Sequence, residues 1–452
     1  MFETYKELIF NKAKEKGFEA YELYYTESKE HSIDLEEGEA YAFQRGAAFR
    51  GSIGEQTGMA YLENFSEEGI HYLIDSAYEN MLISEPAYTQ YYKAGEKYSQ
   101  LEERDERLEK PSTLYDLARA FKEEIESDEG LRYSKGEVKT ICTTYHIANS
   151  YGLDLKHQGN IIYAFFNITV NQAGNMKSTH VYEGGSRLEL IHPKELIKKG
   201  RQKCLGYFNT GKIASGKYNI LIENDIAALI LSALSVFFNG KSAAWSKGIY
   251  REKVGCQVAK TSLSIIDDPF DVKGVFSMPF DSVGARAQKQ FLIKNGIFMG
   301  YLNDAYSANS LNEKFACNNH RCAYNLASDI YPTNMRIETG NMTLEELVRK
   351  LETGVYITDV SAYFPGHGVN PITGDFSIPA TGFYIKDGGI QYAVQGIAIS
   401  GNLYDFVNSV NMIGNDSAYG VPTSFYKGAP KWYGCYSSPT LLVEDITISS
   451  EE

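Results

Sequence analysis

Histidine is scarce in this chain: His31, His71, His146, His157, His180, His192, His320 and His367 are the only eight in 452 residues. The closest two, His146 and His157, stand 11 positions apart. A zinc-protease helix needs two imidazoles one turn apart and a glutamate beside the first, so no single helix here carries that arrangement. A metal site would have to be assembled from distant residues. Cysteine is thin as well: Cys142, Cys204, Cys256, Cys317, Cys322 and Cys435 are scattered along a long chain, which fits reduced thiols and excludes a dense disulfide framework. Positive charge is in deficit, with 44 Lys and Arg against 58 Asp and Glu, a net charge of −14 and a pI near 5.2. Such a surface repels phosphate backbones and anionic headgroups, so neither nucleic acid nor a membrane is an expected partner. Long apolar runs are missing. The longest, Ile226 to Phe238, is roughly half a bilayer span and reads as a buried helix. The opening "MFETYKELIFNKAKEKGFEAYEL" mixes both charges and has no cleavage-site pattern, so a cytoplasmic location is expected.

What the chain does have is the composition of a folded protein, 43% hydrophobic and 23% charged. At about 150 residues per domain its length suggests two or three domains. The first 90 residues read as a mixed unit: a helix over residues 3–17 stopped by Gly17, strands in "YELYYTES", "HSIDLEEG" and "GAAFRGSIGEQTGMAYLEN", and a second helix capped by Ser66. Residues 91–111 are polar and aperiodic, a linker. Residues 112–214 repeat the mixture, with a helix after Pro111, strand-like runs, and a helix near 193–202. From residue 215 to 452 short strands dominate. "LIKNGIFMGYL" and "FYIKDGGIQYAV" each place an Asn-Gly or Asp-Gly turn between apolar runs, the strongest short hairpin signal. One helix, residues 343–352, separates them. The fold class is α+β: two small mixed helix and strand units, then a β-rich C-terminal domain with hairpins. Thirty-four tyrosines fit wide, half-buried sheet surfaces.

Candidate chemistry is sparse. The helix in "LIENDIAALILSALSVFFNGKSAAW" has Asp225 at its start as an expected cap and apolar residues at helical spacing, but no side chain able to do chemistry. "CNNHRC", Cys317 to Cys322, gathers two thiols and His320 without the second pair that zinc ribbons require, and reads as a polar loop. "GKSAAWSKG" lacks an oxyanion-hole pattern and reads as a solvated connection. "YFPGHGVNPITGDFS", residues 363–377, combines turn glycines with the polar heads of His367, Asn370 and Asp375. It fits a ligand loop and a turn-rich crossover equally well.

Read onward, that stretch resembles a known family. "GVNPITGDFSIPATGFYIKDGGIQYAVQGIAISGNLYDFVNSVNMIGND" is similar to the C-terminal signature of the TldD/PmbA family, with its TGDF turn, hairpin, GN and GND. "FDSVGARAQKQFLIKNGIFMGYL", "ANSYG" and "SGKYNILIEND" resemble further family segments, in the family's order. The TldD kind of chain carries an HExxxH helix after the strand that opens the C-terminal domain, with a cysteine near the C-terminus as a further zinc ligand. The TldE kind, also called PmbA or modulator of DNA gyrase, lacks the helix motif and pairs with TldD in a heterodimeric metalloprotease. Here the corresponding helix has no His and no Glu, and Cys435 sits loosely where the ligating cysteine would be. The resemblance therefore implies a non-catalytic TldE/PmbA-type subunit in cytosolic proteolysis. No catalytic residue and no metal ligand is assigned to this chain, and zinc is expected in a TldD-type partner. His367, Asn370 and Asp375 are the substrate-binding candidates. Two alternatives stand beside it: a self-sufficient metallopeptidase drawing on Cys317, His320, Cys322, His367 and Cys435, and a homodimeric peptide- or protein-binding regulator.

Overall fold

A computed structural model describes residues 2–86, 89–101, 104–245, 250, 252–314, 317–360, 368–419 and 434–450. The N-terminal half contains α1 (Phe2–Lys16), β1 (Ala20–Asp34), β2 (Gly38–Ile53), β3 (Gln56–Leu62), α2 (Glu67–Leu82), α3 (Pro111–Glu126), β4 (Leu131–Asn149), β5 (Asp154–Gln172), β6 (Asn175–Gly185) and α4 (Pro193–Gly206). Local signals account for the helix ends. Gly17 stops α1 at φ +94°, Ser66 Oγ accepts from the Gly69 N–H at 3.1 Å to cap α2, and Pro111 opens α3.

The two mixed units share one antiparallel sheet of order β3-β2-β1-β4-β5-β6. Its central seam is β1 against β4, running from Glu22 opposite Asn149 to Asp34 opposite Glu137. The boundary expected between the units thus crosses a continuous sheet. Helices α1 and α2 bury Ile9, Ile70, Leu73 and Ala77 against Leu23 and Phe49, while α3 and α4 cover Val138, Ile162 and Phe166. The stretch expected as a linker is tied down at two points within it. The Tyr98 hydroxyl donates to Gly284 O at 2.9 Å, and buried Asp105 accepts from Arg107 and from the Leu188 N–H.

The C-terminal half contains β7 (Gly216–Ile222), α5 (Asn224–Leu234), α6 (Gly240–Trp245), β8 (Ile265–Asp267), β9 (Gln290–Lys294), β10 (Ile297–Phe298), α7 (Ala305–Leu311), β11 (Asn319–His320), β12 (Asp329–Ile330), β13 (Asn334–Ile337), α8 (Leu344–Leu351), β14 (Gly354–Val360), β15 (Asp375–Lys386), β16 (Gly389–Asn402), α9 (Leu403–Ser409), β17 (Val410–Ile413), β18 (Ala418–Tyr419), β19 (Cys435–Ser438) and β20 (Leu441–Ser450). Both expected hairpins form. Asn295 and Gly296 join β9 to β10, and Asp387 and Gly388 join β15 to β16, all four at positive φ as a type I′ turn demands. Thr343 and Glu346 cap α8 reciprocally.

One sheet has the order β16-β15-β14-β7-β20-β17, and β16 also pairs with β20, from Ile397 opposite Ser450 to Ser400 opposite Thr447. Strands β7, β14, β15, β16 and β20 therefore close on themselves, which removes their free edges. Beside this barrel lies a second sheet, β10-β9-β8-β13-β19-β18. A shared core including Ile222, Leu231, Phe238, Ile265, Phe298 and Val443 fills the space between, with α5 inside it. The α+β class, with a β-rich C-terminal half, is observed.

Candidate functional site

Strand β7 delivers the chain to α5 through Glu223, which occupies the N-cap position expected of Asp225. Asp225 instead lies in the first turn, where its Oδ1 accepts the Ile226 N–H at 2.8 Å. Both carboxylates are buried and face two lysines of α4. Lys199 Nζ is 3.3 Å from each of Glu223 and Asp225, and Lys203 contacts Glu223 and lies 3.9 Å from Asp225. Lys203 Nζ also donates to Thr358 O at 3.1 Å. Burial works against the Asp225 carboxylate, but Lys199 and Lys203 outweigh it and hold Asp225 below its ordinary value. For Glu223 burial wins and pushes the group up. This four-charge junction welds α4 to the C-terminal half, and sequence reasoning missed it. The available signal was the pairing of "KKGRQK" on one helix with "END" at the start of the next.

The middle of α5 is sealed: Ile226, Ala227, Ile230, Leu231 and Leu234 are all buried. Its C-terminal end, which runs into a 3₁₀ turn over Ser235–Phe238, borders a cavity of about 220 Å³ lined by Ser232, Ser235, Asn239, Asp329, Tyr331 and Tyr436 among others. Across it the Ser235 and Tyr436 hydroxyls lie 3.1 Å apart. The polar groups here are hydroxyls and amides, and the one carboxylate in the lining, Asp329, sits 3.6 Å from Lys241. Cys435, the neighbour of Tyr436, is fully buried beside Val275, Phe276 and Met278, and burial pushes its thiol up to about 12. Among the described residues it joins no group of three metal-ligating side chains.

Of the expected site residues, His367 lies outside the described residues. Asn370 and Asp375 meet in one tight turn. Asn370 Oδ1 accepts from the Ile372 and Thr373 N–H groups at 2.9 and 3.2 Å. Asp375 accepts from Asn402 Nδ2 at 2.9 Å and Thr373 Oγ1 at 2.7 Å, and these bonds hold its carboxyl below the ordinary range. Asn402 in turn caps α9 through the Tyr404 N–H at 2.9 Å. The TGDF and GN motifs are thus two halves of one hydrogen-bonded unit, because register sets Asp375 opposite Asn402. Gly374, at φ +80°, closes the turn, and a Cβ there would stand 2.8 Å from the Tyr404 ring. Gly374→Ala is expected to cost about 1–3 kcal/mol in urea unfolding.

"CNNHRC" is not the polar loop expected from its composition. Cys317, Asn318, His320 and Arg321 are all buried, since Asn318 bridges Asp267 (3.0 Å) and Gln290 (2.7 Å) inside the second sheet. "GKSAAW", expected as a solvated connection, is the helix α6, with Gly240 and Ala243 buried. Among the described residues, Cys317, His320, Cys322 and Cys435 bring no three ligand atoms together. The one such group is Glu3, His146 and Asp154, and there Lys6 already occupies both carboxylates.

Burial pushes His320 down to about 3 and His157 down to about 4, in the latter case against a backbone hydrogen bond at Ser277 that favours the charged form. Both values lie below the unfolded histidine value near 6.5, so the folded state excludes the proton. Their contribution is complete above pH about 6.5 and is lost as pH falls through about 4 for His157 and about 3 for His320. Stability by urea unfolding is expected to drop over that window, and His157→Gln should flatten the slope.

The family model for the PmbA/TldA metallopeptidase C-terminal domain matches residues 215–450, more than half of the chain, and the chain belongs to this TldD/PmbA family. Metalloprotease PmbA of Escherichia coli O157:H7 is 29% identical over 284 residues, 63% of this chain and 56% of that protein. A Haemophilus influenzae homologue of PmbA is 31% identical over 215 residues, 48% of this chain and 45% of its own length. The chain thus spans about half the length of these curated relatives. A Thermotoga maritima MSB8 structure, described as a candidate modulator of a DNA gyrase, superposes with a TM-score of 0.87 at 24% identity over 99% of this chain and 100% of that one. TldE from Thermococcus kodakarensis superposes at 0.86 with 19% identity over 98% and 100%. These two likenesses establish the fold. No helix among the described residues is long and apolar enough to cross a membrane.

Proposed function

We propose that this chain is the non-catalytic, TldE-type subunit of a cytosolic zinc metalloprotease that cleaves small or unfolded peptides. In this reading zinc and the catalytic glutamate belong to a TldD-type partner carrying HExxxH. The observation that carries the reading is α5 itself. Where the zinc-bearing kind of chain places imidazoles and a carboxylate, this helix places Ile230, Leu231 and Leu234 in the core and turns Ser232 to the cavity, followed there by Ser235 and Val236 of the 3₁₀ turn. Hydroxyls and a single thiol do not make the set of imidazole, thiolate and carboxylate ligands that a zinc ion takes. The name of the Thermococcus neighbour supports the same assignment. Asn370 and Asp375 then serve the substrate side indirectly, by fixing the turn that starts β15.

The test is reconstitution. The pure chain is titrated into an HExxxH-bearing relative from the same organism, and hydrolysis of an unstructured peptide is followed together with complex size. Hydrolysis should rise to a plateau at a fixed ratio of the two chains and vanish with chelator. No complex and no effect on the partner's activity would overturn the reading.

A further inference from the structure

The cavity at the end of α5 has a polarity of its own. Ser232 Oγ donates to Leu229 O and Ser235 Oγ to Ser232 O, both at 2.7 Å. With its proton committed to that carbonyl, Ser235 accepts from the Tyr436 hydroxyl 3.1 Å away. All three hydroxyl protons are thus engaged, and what these oxygens still offer is lone pairs. The Asn239 amide is engaged at both ends: its Oδ1 accepts the Ser242 N–H at 3.0 Å and its Nδ2 donates to Ile330 O at 3.4 Å. The negative end of α5 and its 3₁₀ extension lies at the same place. Among the described residues of the lining, Asp329 is the only charged side chain. Its Oδ1 accepts the Ile330 N–H at 2.9 Å, and no hydrogen bond among the described residues holds its Oδ2.

Lone pairs, a carboxylate and a helix C-terminus favour a cation and disfavour an anion. The walls between them, Val236, Leu302, Ile330 and Pro332, are apolar. At about 220 Å³ the cavity is smaller than the roughly 300–1,000 Å³ of pockets that enclose whole small molecules, and it suits one side chain. An apolar stem ending in an ammonium group matches both parts of the lining, with methylenes against the walls and three N–H donors toward the oxygens. The protein makes part of this contact itself. Lys241 of α6 brings its Nζ to 3.6 Å from Asp329 Oδ1 while lying 5.3 Å over the Trp245 ring. That separation exceeds a hydrogen bond, so a better placed ammonium group can displace Lys241 from the carboxylate.

We infer that this cavity is a recognition pocket for a lysine side chain, with the incoming ammonium group directed at Asp329 and at the hydroxyl oxygens. That the lysine belongs to an extended peptide rests on the function proposed above, whereas the preference for a cation on an apolar stem rests on the lining alone.

Fluorescence anisotropy with the pure full-length chain tests it. The probe is a labelled, unstructured peptide blocked at both ends and carrying one lysine, compared with the same peptide carrying norleucine, which keeps the stem and lacks the charge. The lysine peptide should bind at least about tenfold more tightly. Asp329→Asn, whose amide oxygen can still accept the Ile330 N–H, should weaken the lysine peptide about fivefold and leave the norleucine peptide unchanged. Lys241→Met removes the competing ammonium group and should strengthen lysine binding several-fold, a gain that misfolding cannot produce. No zinc-bearing partner is present, so failure here and failure of the reconstitution are separate results. Equal binding of the two peptides, no binding of either, an Asp329→Asn chain that keeps the full preference for lysine, or a Lys241→Met chain that gains no affinity would overturn the inference.

Discussion

Lys203→Met should destabilise this protein by about 3–5 kcal/mol at pH 8, the range for removing one partner of a buried ion pair. The side chains of Lys203, Glu223 and Asp225 are only 10%, 8% and 12% exposed. With Lys203 gone, Glu223 keeps Lys199 alone as its cationic partner and remains in the same low-dielectric junction. The sign of the pH dependence follows. Burial already raises the Glu223 value, and loss of a lysine raises it further, so the variant can relieve its penalty by binding a proton. The deficit should therefore be smaller at pH 5.5 than at pH 8. Lys203→Met combined with Glu223→Gln should recover part of the loss, because a neutral amide needs no counter-charge. Urea unfolding at the two pH values measures all of this, and equal losses at both would contradict the ionic account of the junction.

A second large effect is expected in the barrel. Gly382 sits in β15 just after a register shift against β16. A Cβ built there would lie 2.1 Å from Tyr356 O, 2.9 Å from its carbonyl carbon and 3.0 Å from Ile357 Cα. All three are backbone atoms of β14, held by its pairing with both β15 and β7. No side chain can rotate away to make room, so Gly382→Val should cost more than about 4 kcal/mol or prevent folding of the C-terminal half. Gly389→Ala, whose new Cβ would approach no atom closer than 3.7 Å, is the control for loss of a strand glycine without a clash. Soluble yield and melting temperature separate the two.

Local features of the fold were legible because their causes are local. Asn295-Gly296 and Asp387-Gly388 specify their turns, Thr343 and Glu346 specify the start of α8, and the apolar spacing of Ile226, Ile230 and Leu234 specifies a buried helix. Long-range pairing was not legible. Nothing near Tyr24 indicates that it will lie opposite Ile147, more than a hundred residues away, so the two mixed units could not be seen as one sheet. Closure of the barrel through Ile399 and Ile448 has the same character. Composition misled at "CNNHRC", where Asn318 is buried because it finds partners in the second sheet and Arg321 because it reaches Leu326 O. The candidate site was legible mainly as an absence of ligands in α5. The hydroxyl cavity beyond it was not, because Ser235 and Tyr436 are neighbours only in space. Asn370 and Asp375 stood out by type, but the sequence alone did not show that Asn402 ties Asp375 into the turn.

The central claim is that this chain supplies no zinc centre of its own, and metal content tests it most directly. The protein is purified without chelator, equilibrated with zinc, passed through a desalting column and assayed for bound metal and for peptide hydrolysis. The account predicts zinc far below one ion per chain and no hydrolysis that chelator can abolish. One zinc per chain together with chelator-sensitive cleavage by the pure chain would contradict it.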